Sequence, residues 1–242
     1  MMPTDSKRVP TSRVAGLLAW LTLWSIAFGM VEGAVAIYLR RLCYPDQPAD
    51  GPLFPLRLVE PALLHTEMAR EAATLLMLLG IALVAERRPL RRFAAFAFCF
   101  GAWDLAYYAM LHVALGWPAS LLDWDVLFLL PAPWSGPVLA PVLVSAALVG
   151  GAALVLRCVD DEAPSPFRVR DWCVQIACAG LILWSFLWNV GPVARLQPPG
   201  AYPWWLFLTG WLGGLAAFAW RFRNSFLRAP IGRPAYSLQR SS

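Results

Sequence analysis

The stretch VAGLLAWLTLWSIAFGMVEGAVAIY, Val14 to Tyr38, carries one charged side chain, Glu32, in 25 residues. A helix needs about 20 consecutive apolar residues to cross the hydrocarbon core of a bilayer. Lys7, Arg8 and Arg13 precede the run as they would a secretory signal, and Ala34-Val35-Ala36 resembles a cleavage site. A signal core spans only about 7–15 apolar residues, however. The stretch is read as a retained transmembrane helix.

Five further segments repeat the pattern: Ala62–Ala85, Phe93–Trp117, Val138–Leu156, Trp172–Val190 and Trp204–Trp220. The expected fold is therefore all-α, a polytopic transmembrane bundle of about six spans forming one membrane domain over residues 14–222. Composition agrees. The chain is 59% hydrophobic and 14% charged, with a mean hydropathy of +0.56. A soluble domain carries about a quarter charged residues and would lack polar cover here. Thirteen Trp and 21 Pro fit a bilayer, where Trp gathers at interfaces and Pro is tolerated in helices.

Basic residues orient the spans. Alternate connections, including the 1–13 tail and the segment from Arg221 through the 223–242 tail, carry fifteen Lys and Arg against four on the other side, with Arg70 left inside the second span. The positive-inside rule then expects both termini in the cytoplasm. The net charge of +5 sits in loops and tails without interleaved aromatics, so nucleic acid is excluded as a partner. Topology and contact with a lipid bilayer explain the excess instead. Cys43, Cys99, Cys158, Cys173 and Cys178 are scattered without metal-ligand spacing, and no internal disulfide is expected.

Residues 39–61, rich in Pro, Asp and Gly, read as an outer loop, and Arg157–Asp171 as a cytoplasmic one. Between Pro118 and Pro137 the sequence opens like a capping box, with Ser120 at the cap and Asp123 three residues on. About ten residues follow before Pro131 and Pro133. That is too short to span, and a short interfacial or re-entrant helix is expected.

Phe28-Gly29-Met30-Val31-Glu32, Arg70-Glu71-Ala72-Ala73-Thr74 and Trp103-Asp104-Leu105-Ala106-Tyr107-Tyr108 form a set of motifs. With them goes the block from Gly116-Trp117-Pro118 through Asp123-Trp124-Asp125 to Pro133-Trp134-Ser135-Gly136-Pro137. Over roughly residues 20–145 the chain resembles an uncharacterised family of bacterial multi-pass integral membrane proteins. The resemblance implies a helical fold in the bacterial inner (plasma) membrane and carries no activity, cofactor or substrate with it.

An ionisable residue inside a span costs about 2.5–3.5 kcal/mol on insertion scales, so each one calls for a reason. At 1.5 Å per residue, Glu32 lies about 9 Å below the outer end of its helix, Glu67 about 7 Å and Glu71 about 13 Å. His112 lies about 7 Å deep and Asp104 about 20 Å, while Asp123 and Asp125 occupy the outer connection. All fall in the outer half, and none is expected in the inner half. Glu67 and Glu71 share one helix face; Asp104, Tyr108 and His112 share another. Gly29 and Gly33 flank Glu32 and let a neighbouring helix approach closely.

If the first three helices pack together, these groups meet in one pocket. Carboxylates with a His could hold a divalent metal such as zinc or manganese and activate water. Crowded carboxylates could equally serve as an acid or base. The plainer explanation is that Arg70 neutralises Glu67 or Glu71 and that the Tyr and His tips face wet interface. Glu32, Glu71, Asp104 and Asp125 are the catalytic candidates, and Glu32, Glu71, Asp104 and His112 the metal candidates. Glu67, Tyr108 and Asp123 are secondary, Asp123 reading best as a helix cap. No phosphate loop, HExxH or GxSxG pattern occurs. Three functions stay open: an embedded hydrolase or transferase acting on a lipid or small amphiphile, a proton- or cation-coupled transporter, and a non-catalytic membrane subunit or sensor. A transporter calls for polar residues continuing through the inner half, which these spans lack.

Overall fold

The computed structural model describes residues 11–57, 60–159 and 165–223. The first ten residues, the basic tail beyond 223 and the acidic part of the 157–171 loop lie outside them. In chain order the elements are α1 (Thr11–Cys43), α2 (Pro61–Ala85), α3 (Pro89–Leu115), β1 (Trp124–Phe128), β2 (Trp134–Pro137), α4 (Leu139–Cys158), α5 (Val169–Leu187), α6 (Val190–Ala194) and α7 (Trp204–Phe222). By length and composition α1 to α5 can each cross a membrane. The sixth expected span forms α7, a helix of 19 residues. Four Trp and three Gly lower its mean hydropathy, and by that measure it does not join the other five.

Local chemistry sets the helix ends. Pro61 and Pro89 open α2 and α3 at a position where the missing N–H has no helical partner anyway. Gly116 closes α3 in the left-handed region, φ 72°, and its N–H donates to the His112 carbonyl at 2.9 Å. Asp171 accepts the Arg168 N–H at 2.8 Å and so caps α5.

The centre of the bundle is α3, flanked by α1, α2 and α4. Small residues permit the close approach. A Cβ at Gly29 would stand 2.8 Å from the Trp103 carbonyl oxygen, and one at Gly33 2.8 Å from Met110, so α3 is the neighbour those glycines admit. At Gly101 a Cβ would meet the Ser145 carbonyl oxygen of α4 at 2.5 Å. A second unit, α5 with α7, joins the first through Trp211, whose indole N–H donates to the Leu143 carbonyl at 3.0 Å. Phe186, Tyr202 and Phe207 complete that seam with Trp124 and Trp134 of the hairpin.

Two expectations are corrected here. Residues 120–130 form no helix: β1 and β2 pair antiparallel, Asp125 opposite Gly136 and Val126 opposite Ser135, with an irregularity before Phe128. The capping signal is satisfied in a turn instead. Asp123 accepts the Ala119 and Ser120 N–H groups at 2.8 and 3.0 Å, and the chain then extends through Trp124. The bundle is therefore helical with one β-hairpin, not all-α.

The end of the bundle away from the hairpin also holds buried charge. Arg91 and Glu86, only 3% and 5% exposed, pair at 2.5 Å. The same guanidinium donates to the Leu156 and Val159 carbonyls at 2.9 and 2.8 Å, satisfying the last turn of α4.

Gly101→Ala should destabilise the protein by about 1–3 kcal/mol, because the added methyl forces α3 and α4 apart. Gly180→Ala, whose new Cβ meets nothing within 4 Å, should not. Thermal unfolding in detergent compares the two.

Candidate functional site

Between the hairpin and helices α1 to α4 the chain gathers its intramembrane carboxylates. On α2, Glu67, Arg70 and Thr74 fall three and four residues apart and therefore on one face. Arg70 is the hub. Its guanidinium pairs with Glu32 of α1 and, through Nε, with Glu67 at 2.8 Å. Thr74 donates to the second Glu32 oxygen at 3.0 Å, so both oxygens of that buried carboxylate are met from α2. The backbones of α1 and α2 scarcely touch; long side chains bridge them.

Glu71, one residue on, faces the hairpin. Its two oxygens take the Leu129 N–H at 3.0 and 2.9 Å, with the Leu130 N–H also directed at them. This carboxylate satisfies backbone that the hairpin leaves unpaired just beyond β1.

Asp104 on α3 accepts the Ser145 hydroxyl of α4 at 2.8 Å. Asp125 is 5% exposed and takes the Tyr108 hydroxyl at 2.9 Å and the Val126 N–H at 2.9 Å. It belongs to the hairpin, outside the spanning helices, and burial pushes its carboxyl up to about 6. The bonds from Tyr108 and Val126 and the positive charge of Arg40 pull the other way. Arg40 itself stacks over Trp117, 5.0 Å from the ring centre, and donates to the Gly51 carbonyl.

The sequence-derived candidates thus divide. Glu32, Glu71, Asp104, Tyr108 and Asp125 take part in bonds between elements at this end of the bundle, and Glu67 joins them through Arg70 on its own helix. His112 does not join them. It is exposed, and its Nδ1 lies 3.0 Å from the Pro118 carbonyl oxygen. Asp123 holds the turn before β1. Among the described residues no three of His, Cys, Asp and Glu are grouped so as to hold a metal ion.

One residue was missed. Tyr107 lies within electrostatic reach of Asp125, Arg70, Asp104 and Glu32, yet its hydroxyl makes no hydrogen bond among the described residues. Its signal was available, since it stands three residues beyond Asp104 and so near the same helix face. The arc through Asp104, Tyr108 and His112 passed it by.

No family model, curated protein or solved structure matches this chain.

Glu71→Ala should release the hairpin from α2. Hydrogen exchange at the Leu129 and Leu130 amides should accelerate about tenfold, the equivalent of one hydrogen bond. Glu67→Ala should leave those amides unchanged, because Glu67 bonds only to Arg70.

Proposed function

We propose that this chain is a six-span protein of a bacterial plasma membrane with both termini cytoplasmic, and that its polar cluster is a latch. In this reading it is a non-catalytic membrane subunit or sensor, a rigid bundle that holds a β-hairpin at its outer face. One observation carries the reading: four carboxylates of the cluster are each answered by a donor from a different element. Glu32 is met by α2, Glu71 by the hairpin, Asp104 by α4 and Asp125 by α3. A reaction centre keeps an acid, a base or a metal position open for substrate. These bonds leave the carboxylates engaged with one another's elements.

The six-span topology is supported by the lysine and arginine asymmetry and by α7. Nineteen residues rise about 28 Å, close to the hydrocarbon thickness. Arg221 and Arg223 flank the end of α7 that this topology assigns to the cytoplasm.

A second reading, an embedded hydrolase or transferase acting on a lipid or small amphiphile, is favoured by Tyr107. Its unbonded hydroxyl among four charged groups is the arrangement a substrate or a catalytic water would complete. A zinc or manganese ion would belong to this reading alone.

Three substitutions and a metal analysis separate them. Under the latch reading, Glu32→Gln and Asp104→Asn each lower the unfolding midpoint by roughly 4–10 °C, the equivalent of 2–3 kcal/mol. Tyr107→Phe leaves both the midpoint and the phenotype of a gene-replacement strain unchanged, and purified protein carries no stoichiometric divalent metal. A Tyr107→Phe protein that is fully stable yet inactive in the strain would overturn the latch in favour of the enzyme. Topology is read separately: an impermeant maleimide should label Pro48→Cys in intact cells and spare Ser165→Cys.

A further inference from the structure

Helices α1 and α2 each pack on α3 rather than on one another, and Arg70 crosses the groove between them. Its guanidinium donates through Nε to one Glu67 oxygen and through one terminal nitrogen to Glu32. The second terminal nitrogen and the other Glu67 oxygen make no hydrogen bond among the described residues. A donor and an acceptor thus stand free on the two members of one ion pair.

Neither group is sealed from its surroundings. The Arg70 side chain is 30% exposed and that of Glu67 14%, against 8% for Glu32. Counted from Ala62, Glu67 lies about 7 Å and Arg70 about 12 Å into the span. At that depth an open guanidinium faces acyl chains, which supply neither charge nor hydrogen bonds. The groove therefore calls for a polar occupant. Two carboxylates against one guanidinium disfavour a purely anionic head. A head that carries both signs answers both free groups. Its apolar part has a path as well: Met77, seven residues beyond Arg70 and so on the same face, is 47% exposed, and Val31 beside Glu32 is 60% exposed.

We infer that the groove between α1 and α2 binds phosphatidylethanolamine, its ammonium on the free Glu67 oxygen and its phosphate on the free Arg70 nitrogen. The acyl chains follow Met77 and Val31 into the bilayer. A quaternary ammonium has no N–H to give Glu67, and phosphatidylglycerol brings no cation at all, so each loses one charge-assisted bond. The site needs only that this face of the bundle meets lipid. It stands whether the hairpin end is a latch or a reaction centre.

The test uses the full chain in neutral detergent, with native mass spectrometry and thermal unfolding as readouts. Phosphatidylethanolamine should be retained as one bound molecule and raise the midpoint. Phosphatidylcholine and phosphatidylglycerol should bind about tenfold more weakly, the loss of one hydrogen bond to a charged group. Glu67→Gln should weaken phosphatidylethanolamine to the same degree and erase its advantage over phosphatidylcholine. Met77→Trp, which fills the groove without touching a charge, should abolish retention. Leu79→Trp, on the far side of the same helix and equally open to lipid, should change nothing. Equal retention of the three lipids, or equal effects of Met77→Trp and Leu79→Trp, would overturn the site. A preference for phosphatidylglycerol would overturn the zwitterionic head. An identical midpoint shift with free phosphoethanolamine would overturn its assignment to a lipid.

Discussion

Hydrocarbon offers no hydrogen bonds, so every amide and carboxylate placed at membrane depth must find its partner within the chain. Helices settle the backbone, and what remains is a short set of side chains. α2 depends on them most. It packs chiefly along α3 and leaves Leu76 and Val84 exposed at 68% and 86%. Apolar contact alone allows such a helix to rotate or slide against its neighbour. The Glu32–Arg70 pair removes that freedom, because turning α2 away would strand a carboxylate that is 7% exposed. Breaking a buried pair costs about 3–5 kcal/mol, although the intact pair adds little over well-packed apolar residues. Its contribution is to orientation. With Arg70 fixed, Thr74 reaches Glu32 and Glu71 is turned toward the hairpin.

The hairpin follows from the same constraint. Irregular backbone survives at depth only where protein covers it. Two short strands leave edge groups unpaired, and the Glu71 carboxylate takes up the Leu129 N–H with both oxygens. Apolar cover comes from Phe128, whose ring lies 5.5 Å from Trp134 and 6.5 Å from Trp103. The far side of the hairpin rests on Phe186 and Tyr202, with Gly136 leaving no side chain in the way. Thus the strands tie α2 and α3 to the α5–α7 unit. Without them the two halves of the bundle would meet mainly through α4 and α7.

Much of this was legible in the sequence, and the misses have physical causes. Apolar length marks the helices, because the bilayer fixes it directly. The Gly29 and Gly33 spacing marked a close approach without naming α3, since spacing along one helix says nothing of its neighbour. The hairpin was hidden by a local signal with two solutions: Ser120 and Asp123 cap a helix or close a turn with similar bonds. Tertiary partners decided, namely Glu71 on one side and residues 134–137 on the other. Trp124, Val126 and Phe128 favour extended chain and were the available hint. Glu32, Glu71, Asp104 and Asp125 were identified by the cost of burying charge. Their partners Ser145, Thr74 and the Leu129 amide were not, since an ordinary hydroxyl or amide carries no such cost on the sequence. Arg91 shows the reverse error. Counted as a turn cation, it is buried between Glu86 and the last carbonyls of α4.

The two ends of the bundle differ in how completely charge is answered, and that difference orders the functional readings. At the hairpin end the carboxylates are matched element by element, and a matched network is what rigid packing requires. Tyr107 is the exception there, a hydroxyl with no hydrogen bond among the described residues. At the opposite end, among the described residues, Asp171 caps α5 and pairs with Arg221 of α7, while the exposed Arg170 makes no hydrogen bond or ion pair.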